Sequence, residues 1–328
     1  GEGLSDGQYG QQLNQVGIIQ NFSSPSITKA QNKLQDAYTN QSRTQQQITE
    51  NEIKWKVKQL YFEIQYKKEL EHLYSSLAST YKEYHRIASV RVQAGAANRI
   101  EVLTLQSKWS EYEILLSKVL IEIDNLNKQF QLLLNSKESI TTVDSLSVAN
   151  YSIAIDTTTN PLLLKSQHEI SIENAKVDAM KADLKPRFNV GYAAQYFNEG
   201  GWLSSPQVGL SVPLFKGQAK KRIEAQRMQI DIGNFQYQSQ LLQFKQDHLE
   251  IQNTLKVYRA GVDFYKNQIE IINPEIIRIS ELNYQAGEIT YLELLNTLQL
   301  MTTNNKNYWE QILVYNKAVA DFQFLTNQ

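Results

Sequence analysis

From Ile27 to Gln93 the chain runs without a proline or a glycine, apolar residues return every three or four positions (Ile53, Val57, Leu60, Ile64), and helix formers fill the intervals. This pattern predicts one helix of about 67 residues, roughly 100 Å long at 1.5 Å per residue. Ordinary globular helices run about 8 to 20 residues, so this length belongs to a coiled coil or a tube. A second helical pattern covers Gln218–Gln285, interrupted only by Pro274, whose ring removes a backbone hydrogen bond and predicts a bend. Both patterns end in Gln-Ala-Gly, at Gln93, Ala94 and Gly95 and again at Gln285, Ala286 and Gly287. Each glycine suits a left-handed C-terminal cap, after which helical periodicity resumes over Arg99–Asn135 and Tyr291–Asn327. Two helical hairpins are therefore expected.

A further helix is expected over about Pro161–Leu184, after a Ser/Thr/Asp-rich stretch, Ser136–Asn160. End to end, returning helices of about 37 and 24 residues nearly match a 67-residue neighbour, as helices lining a tall cylinder would. Beyond Lys185–Pro186 the period changes to two. Phe188, Val190, Tyr192, Ala194 and Tyr196 alternate with polar or small residues, and so do Val208, Leu210, Val212 and Leu214, across a Gly/Ser-rich loop, Asn198–Pro206. Gln15–Phe22 reads as another such strand. Apolar alternation over about 9 to 11 residues is the pattern of an outer-membrane strand, with Tyr192, Tyr196, Phe197 and Trp202 suited to an interfacial girdle or to ordinary loop packing. Two hairpins cannot close a barrel, and an open edge in lipid is costly, so several chains must contribute strands.

The two halves match without gaps at an offset of 192 residues. Gln93/Gln285, Gly95/Gly287, Glu101/Glu293, Leu103/Leu295, Phe130/Phe322 and Asn135/Asn327 are identical pairs, and the register extends back to Val16–Gly17 against Val208–Gly209. The expected organisation is a single domain over residues 1–328, made of two repeats, about 1–135 and about 161–328, with a linker over 136–160. Residues 161–192 have no counterpart, so the first repeat reads as truncated by about one helix and one strand. Gly1–Gly10 carries neither a basic nor an apolar leader segment.

Composition narrows the function. A net charge of −1 offers no basic stripe for nucleic acid, and the absence of cysteine excludes disulfides and thiol chemistry. The mean hydropathy of −0.45 goes with a polar-surfaced helical chain, and no apolar run reaches the 18 to 20 or so residues of a membrane helix. Nucleophile elbows, phosphate-cradling glycine loops, HExxH and CxxC patterns are all absent, so neither catalysis nor a cofactor is indicated. His72, His85, His168 and His248 form no close helical pair and read as structural rather than as metal ligands.

The Gln-Ala-Gly turns followed by a carboxylate, the Asn160–Pro161 helix start, the Pro186 strand start and VGLSVPLFKGQAKKR at Val208–Arg222 together resemble the TolC-type outer-membrane efflux family. GEITYLELLN at Gly287–Asn296 and YNKAVADFQFL at Tyr315–Leu325 look most like members serving heavy-metal and cation exporters of the RND class, and the start of the chain is similar to members fused behind such a pump. The resemblance implies a mainly α fold with a small β part: long antiparallel coiled-coil helices forming an α-barrel, and four β-strands per protomer contributing to a twelve-stranded barrel in a homotrimer. It also implies residence in outer-membrane lipid with a periplasmic helical tunnel, docking to a periplasmic membrane-fusion adaptor, and an inner-membrane RND pump as partner. The six residues of the two Gln-Ala-Gly turns would form the adaptor-docking tips. Glu293 would stand at a constriction-ring carboxylate, and Asn296 where another acid often sits. Glu101 and Tyr284 match a pair that latches neighbouring coiled coils in the closed state, while Ile289 replaces a basic residue at a second latch position.

Residue chemistry alone leaves plainer readings open. Gly95 and Gly287 can be simple helix caps, and Glu101 and Glu293 ordinary solvated glutamates. A coiled-coil tether of the envelope would explain the long helices, though not the strand alternation.

Overall fold

A computed structural model describes residues 14–95, 97–137, 145–153, 156–197 and 201–328. The Gly1–Gly10 start, residues 138–144 and 154–155 of the linker, and 198–200 of the expected loop lie outside these, as do the side chains of Asn14, Gln15, Phe197 and Gln285. The elements are β1 (Asn14–Phe22), α1 (Pro25–Gln93), α2 (Arg99–Leu133), α3 (Pro161–Ala182), β2 (Arg187–Phe197), β3 (Gly201–Ser211), α4 (Gly217–Asn267), α5 (Asn273–Ala286) and α6 (Tyr291–Thr326). Packing groups them into two compact units whose boundaries fall inside α1, at the start of α3 and inside α4.

One unit takes the described parts of Gly1–Gln46 together with Pro161–Leu241. Its sheet has the order β1-β2-β3, antiparallel throughout. Residues opposite one another share a face, so the register builds two unlike surfaces. Phe22, Phe188 and Leu210 align on one face, as do Ile18, Tyr192 and Pro206, and then Val16, Ala194 and Ser204. The other face carries Asn21, Asn189 and Gly209, then Gly17, Ala193 and Ser205. The apolar face is exposed: Ile18 keeps 79% of its surface, Val208 83% and Leu210 60%. Tyr196 and Trp202 sit at one end of it, ring centroids 5.4 Å apart.

The expected loop Asn198–Pro206 is mostly strand. Trp202 and Leu203 pair with Tyr196 and Gln195, and Pro206 lies within β3 opposite Tyr192. Among the described residues β3 pairs only with β2, so Pro206 stands on an edge strand, where proline is tolerated. Helix α3 packs in this unit through small and aliphatic residues such as Ile172, Ala175 and Ala179, and Lys33 of α1 pairs with Asp178 at 2.7 Å.

The other unit, Gln47–Asn160 with Leu242–Gln328, holds the larger core. Buried residues of α2 recur as Leu105, Tyr112, Val119, Ile123 and Phe130, mostly seven apart, the spacing of a coiled-coil seam. All of these but Phe130 share one core with Tyr66, Leu70, Tyr74 and Tyr81 of α1 and Ile312, Val319 and Phe322 of α6. Tyr81 stacks on Tyr112 with centroids 5.2 Å apart. The linker is tied to this core by Asn316, which is fully buried: its Nδ2 donates to the Ser147 carbonyl at 2.7 Å and its Oδ1 accepts from the Ala149 amide at 2.8 Å.

The helix is interrupted at Pro274, where a bend is expected. The five residues before α5, Gln268–Ile272, form a π-helical turn, in which the Asn273 amide donates to the Gln268 carbonyl. The widened turn gives the proline ring room and absorbs its missing donor. Buried Asn273 accepts from Asn304 of α6 at 3.0 Å, and Tyr265 accepts from Asn307 at 3.1 Å.

Candidate functional site

Both helical hairpins turn on a left-handed glycine, Gly95 at φ 72° and Gly287 at φ 77°. At Gly287 the amide donates to the Tyr284 carbonyl at 3.1 Å and the Glu288 amide to Asn283 at 2.8 Å, a Schellman closure. At Gly95 the amide donates to the Val92 carbonyl at 3.0 Å. A side chain would find open space at either glycine, so φ alone demands the residue. Gln93 and Ala286 end α1 and α5, and Ala94 enters the first turn.

The return helices start at equivalent caps. Asn98 accepts from the Ile100 amide at 3.0 Å, and Thr290 accepts from the Glu293 amide at 3.3 Å. Glu101 and Glu293 both occupy the third helical position, yet they do different things. Glu293 folds back onto its own helix, accepting from the Thr290 amide at 2.6 Å and its hydroxyl at 2.8 Å. Those bonds hold its carboxyl below the usual carboxylate range, and the group is fully exposed. Asn296 is also exposed, one turn further on.

Glu101 instead crosses to the other hairpin. Its Oε1 accepts from the Tyr284 hydroxyl at 3.1 Å, and only 14% of its side chain is exposed. The Tyr284 oxygen accepts in turn from Nη1 of Arg91 at 2.6 Å, and the guanidinium lies 4.0 Å from Glu101 and over the Tyr284 ring. Burial first, then Glu101, pushes the Tyr284 phenol up, while Arg91 opposes the shift. The site is thus a three-residue chain, Arg91 to Tyr284 to Glu101. Arg91 was missed by sequence reasoning because it lies outside every motif; its place one turn before Gly95 was the available signal.

Beside this chain lies a cavity of about 320 Å³, lined by Tyr84, Tyr284, Tyr291, Glu101 and Glu281. Ile87, Leu105 and Leu294 supply its apolar wall. The Tyr291 hydroxyl is buried and has no hydrogen-bond partner among the described residues. Burial, with Tyr81 and Glu101 next, pushes its phenol far up, and burial followed by Glu281 raises Tyr84. Among the described residues no three His, Asp or Glu side chains gather as a metal group, and no helix is long and apolar enough to cross a membrane.

These hairpins and the three-stranded sheet define the class of fold on which comparison can be made. No protein-family model matches the chain, and no curated protein matches it. Solved structures do. The outer-membrane channel OprN is 13% identical with a TM-score of 0.77 over 96% of this chain and 80% of its own. CusC, whose structures concern folding and transmembrane channel formation, is 12% identical with a TM-score of 0.79 over 96% and 82%. The outer membrane protein VceC of Vibrio cholerae is 11% identical with a TM-score of 0.76 over 96% and 86%. The fold is TolC-like, the one these outer-membrane proteins share.

Proposed function

We propose that the protein is the outer-membrane duct of a tripartite RND-type efflux system, a passive conduit for cations or heavy metals that catalyses no reaction. The observation that carries this reading is the sheet: its exposed apolar face suits lipid, its other face, mostly small and polar residues with Ile19 and Leu203 among them, suits a water-filled lumen, and β1 and β3 each have an unpaired edge within the described chain. Strands from neighbouring copies would complete those edges, giving a barrel in the outer membrane and a helical tunnel in the periplasm.

A homotrimer also fits α4 and α5. Leu242, Leu249, Val257, Phe264, Ile271 and Ile279 recur every seven or eight residues, all exposed, as a seam for a helix of another copy. In this reading 1–328 is one domain of two repeats. Gln93, Ala94, Gly95, Gln285, Ala286 and Gly287 meet the periplasmic adaptor, Glu293 and Asn296 line the constriction, and Glu101 with Tyr284 latches it. Arg91 joins the latch. A coiled-coil tether leaves the apolar sheet face without a purpose.

The test is the mass of the full-length protein in mild detergent. A trimer is expected, with Leu249→Glu or Phe264→Glu shifting it to monomer. A wild-type monomer, or a trimer indifferent to both substitutions, contradicts the proposed assembly.

A further inference from the structure

We infer that the segment joining β3 to α4 is an interfacial anchor that binds the headgroups of anionic phospholipid. The inference rests on the sheet standing in lipid, as proposed above, and adds which headgroup chemistry meets its lower end. The two ends of the sheet differ. Tyr196 and Trp202 close one, while Phe22, Phe188 and Leu210 close the other, where β1 runs into α1, α3 into β2 and β3 into α4. Past Ser211 the chain leaves regular structure over residues 212–216 before α4 begins at Gly217. Leu214 keeps 81% of its surface there and Phe215 95%. Directly after them stand Lys216, Lys220, Lys221 and Arg222, all exposed. Of these cations only Lys221 is ion-paired among the described residues, to Glu224 at 2.7 Å.

The helix itself has no use for this charge. A helix start favours acids, yet the first turn of α4 carries none. The other repeat shows that the fold does without the cluster. At the 192-residue offset Phe215, Lys216, Lys220 and Arg222 correspond to Ser23, Ser24, Thr28 and Ala30, and α1 starts from those neutral residues. Helix α3 adds to the same end. Glu173 accepts from Gln226, and Tyr237 accepts from Gln167 at 3.0 Å, so α3 and α4 run antiparallel and the end of α3 lies beside the start of α4. Lys181 and Lys185 stand there, both exposed, and Asp183 between them is taken by Arg187 at 2.9 Å.

Exposed bulky apolar side chains beside unpaired cations make up a segment that lies in a membrane interface: the apolar groups enter the acyl boundary, and the long basic side chains reach back to phosphate. Here that composition continues directly from the apolar face of the sheet, so Leu214 and Phe215 extend a lipid-facing surface and the cations rim it. A nucleic acid would engage the cations and leave Leu214 and Phe215 in water. A zwitterionic headgroup would accept the apolar side chains and bring no net charge to Lys216, Lys220 and Arg222. An anionic phospholipid satisfies both parts, and near such a surface each Lys or Arg strengthens binding about fivefold.

The experiment is native mass spectrometry of the full chain, released from mild detergent holding equal amounts of phosphatidylglycerol and phosphatidylcholine with matched acyl chains. The wild type should retain phosphatidylglycerol at least about tenfold more tightly than phosphatidylcholine, and the combined variant Lys216→Gln, Lys220→Gln, Arg222→Gln should lose at least about fivefold of that preference without weakening phosphatidylcholine. Phe215→Ser should weaken the tightest phosphatidylglycerol about tenfold, through the lost apolar contact. All four side chains are exposed, so both variants should fold, and circular dichroism checks this. Equal retention of the two lipids by the wild type, or unchanged phosphatidylglycerol binding in either folded variant, would overturn the anchor and leave the lipid-facing sheet standing. Retention of neither lipid would overturn both.

Discussion

The two hairpin tips carry the same Gln-Ala-Gly turn and the same third-position glutamate, yet one tip reaches outward and the other closes on itself. Glu101 bonds Tyr284 on the opposite hairpin, whereas Glu293 caps its own helix through Thr290. At the 192-residue offset, Tyr284 corresponds to Val92 and Arg91 to Asn283, so Glu293 has no equivalent phenol or guanidinium to reach for. The difference extends along the helices. Tyr81 is buried in an unbroken α1, while its counterpart Asn273 follows the π-helical turn that accommodates Pro274. Duplication supplied one frame, and a few substitutions made the first hairpin a continuous strut and the second a segmented one that is tied to it.

Breaking the cross-hairpin chain should have the largest effect. Tyr284→Phe and Glu101→Gln, alone and together, should show a coupling of about 1.5 to 3 kcal/mol in unfolding, the range for a hydrogen bond to a charged group. Additive behaviour would mean that the contact contributes nothing. Gly287→Ala and Gly95→Ala come next, each losing about 1 to 2 kcal/mol because φ lies in the left-handed region. Equality between them is the expected sign that both glycines serve first as caps. Thr290→Ala should cost about 1 kcal/mol, as should Asn98→Ala. Glu293→Gln should weaken the second cap and leave the first untouched, as amide exchange in the first turns of α6 and α2 can report.

Hydrogen exchange sharpens the contrast between struts. Amides of Gln268–Ile272 should exchange about tenfold faster than their counterparts at residues 76–80 in α1, because a π turn offers poorer backbone bonds. Equal protection would mean that the bulge is not a soft point. The smallest effect concerns pH. His248 is buried against Phe322, its Nε2 has no partner among the described residues, and burial lowers its pKa, whereas its counterpart Lys56 is exposed. With the folded pKa below the unfolded value near 6.5, the unfolded chain binds more protons as acid is added. Stability should therefore be full above about pH 6.5 and fall as pH drops through the folded pKa. His248→Gln should flatten that part of the profile.

Much of this was legible from residues alone. Long proline-free periodic runs set the helices to within a few positions, since a 3.6-residue pattern sustained over dozens of residues has little competition. Strand β1, expected from Gln15 and observed from Asn14, followed from alternation and the repeat register. Gly201, Ser204, Ser205 and Pro206 disguised half of β3, because turn-forming residues also suit an edge strand, and only pairing with β2 decides between them. The interruption expected at Pro274 takes the form of a π turn just upstream, where strain at a proline is relieved. Glu101 and Tyr284 were paired by resemblance, and the structure brings them together. Arg91 and Asn316 act through partners 193 and 167 to 169 residues away, and apart from Arg91's place one turn before Gly95 no local pattern signals them.

The most direct test of the proposed duct is single-channel recording of the full-length protein in planar bilayers. Discrete, stable ion-conducting pores are expected, opening more often in Tyr284→Phe and changing cation block in Glu293→Ala. Protein that incorporates into lipid yet passes no current, in the wild type and in Tyr284→Phe alike, would contradict the conduit and favour a coiled-coil tether of the envelope.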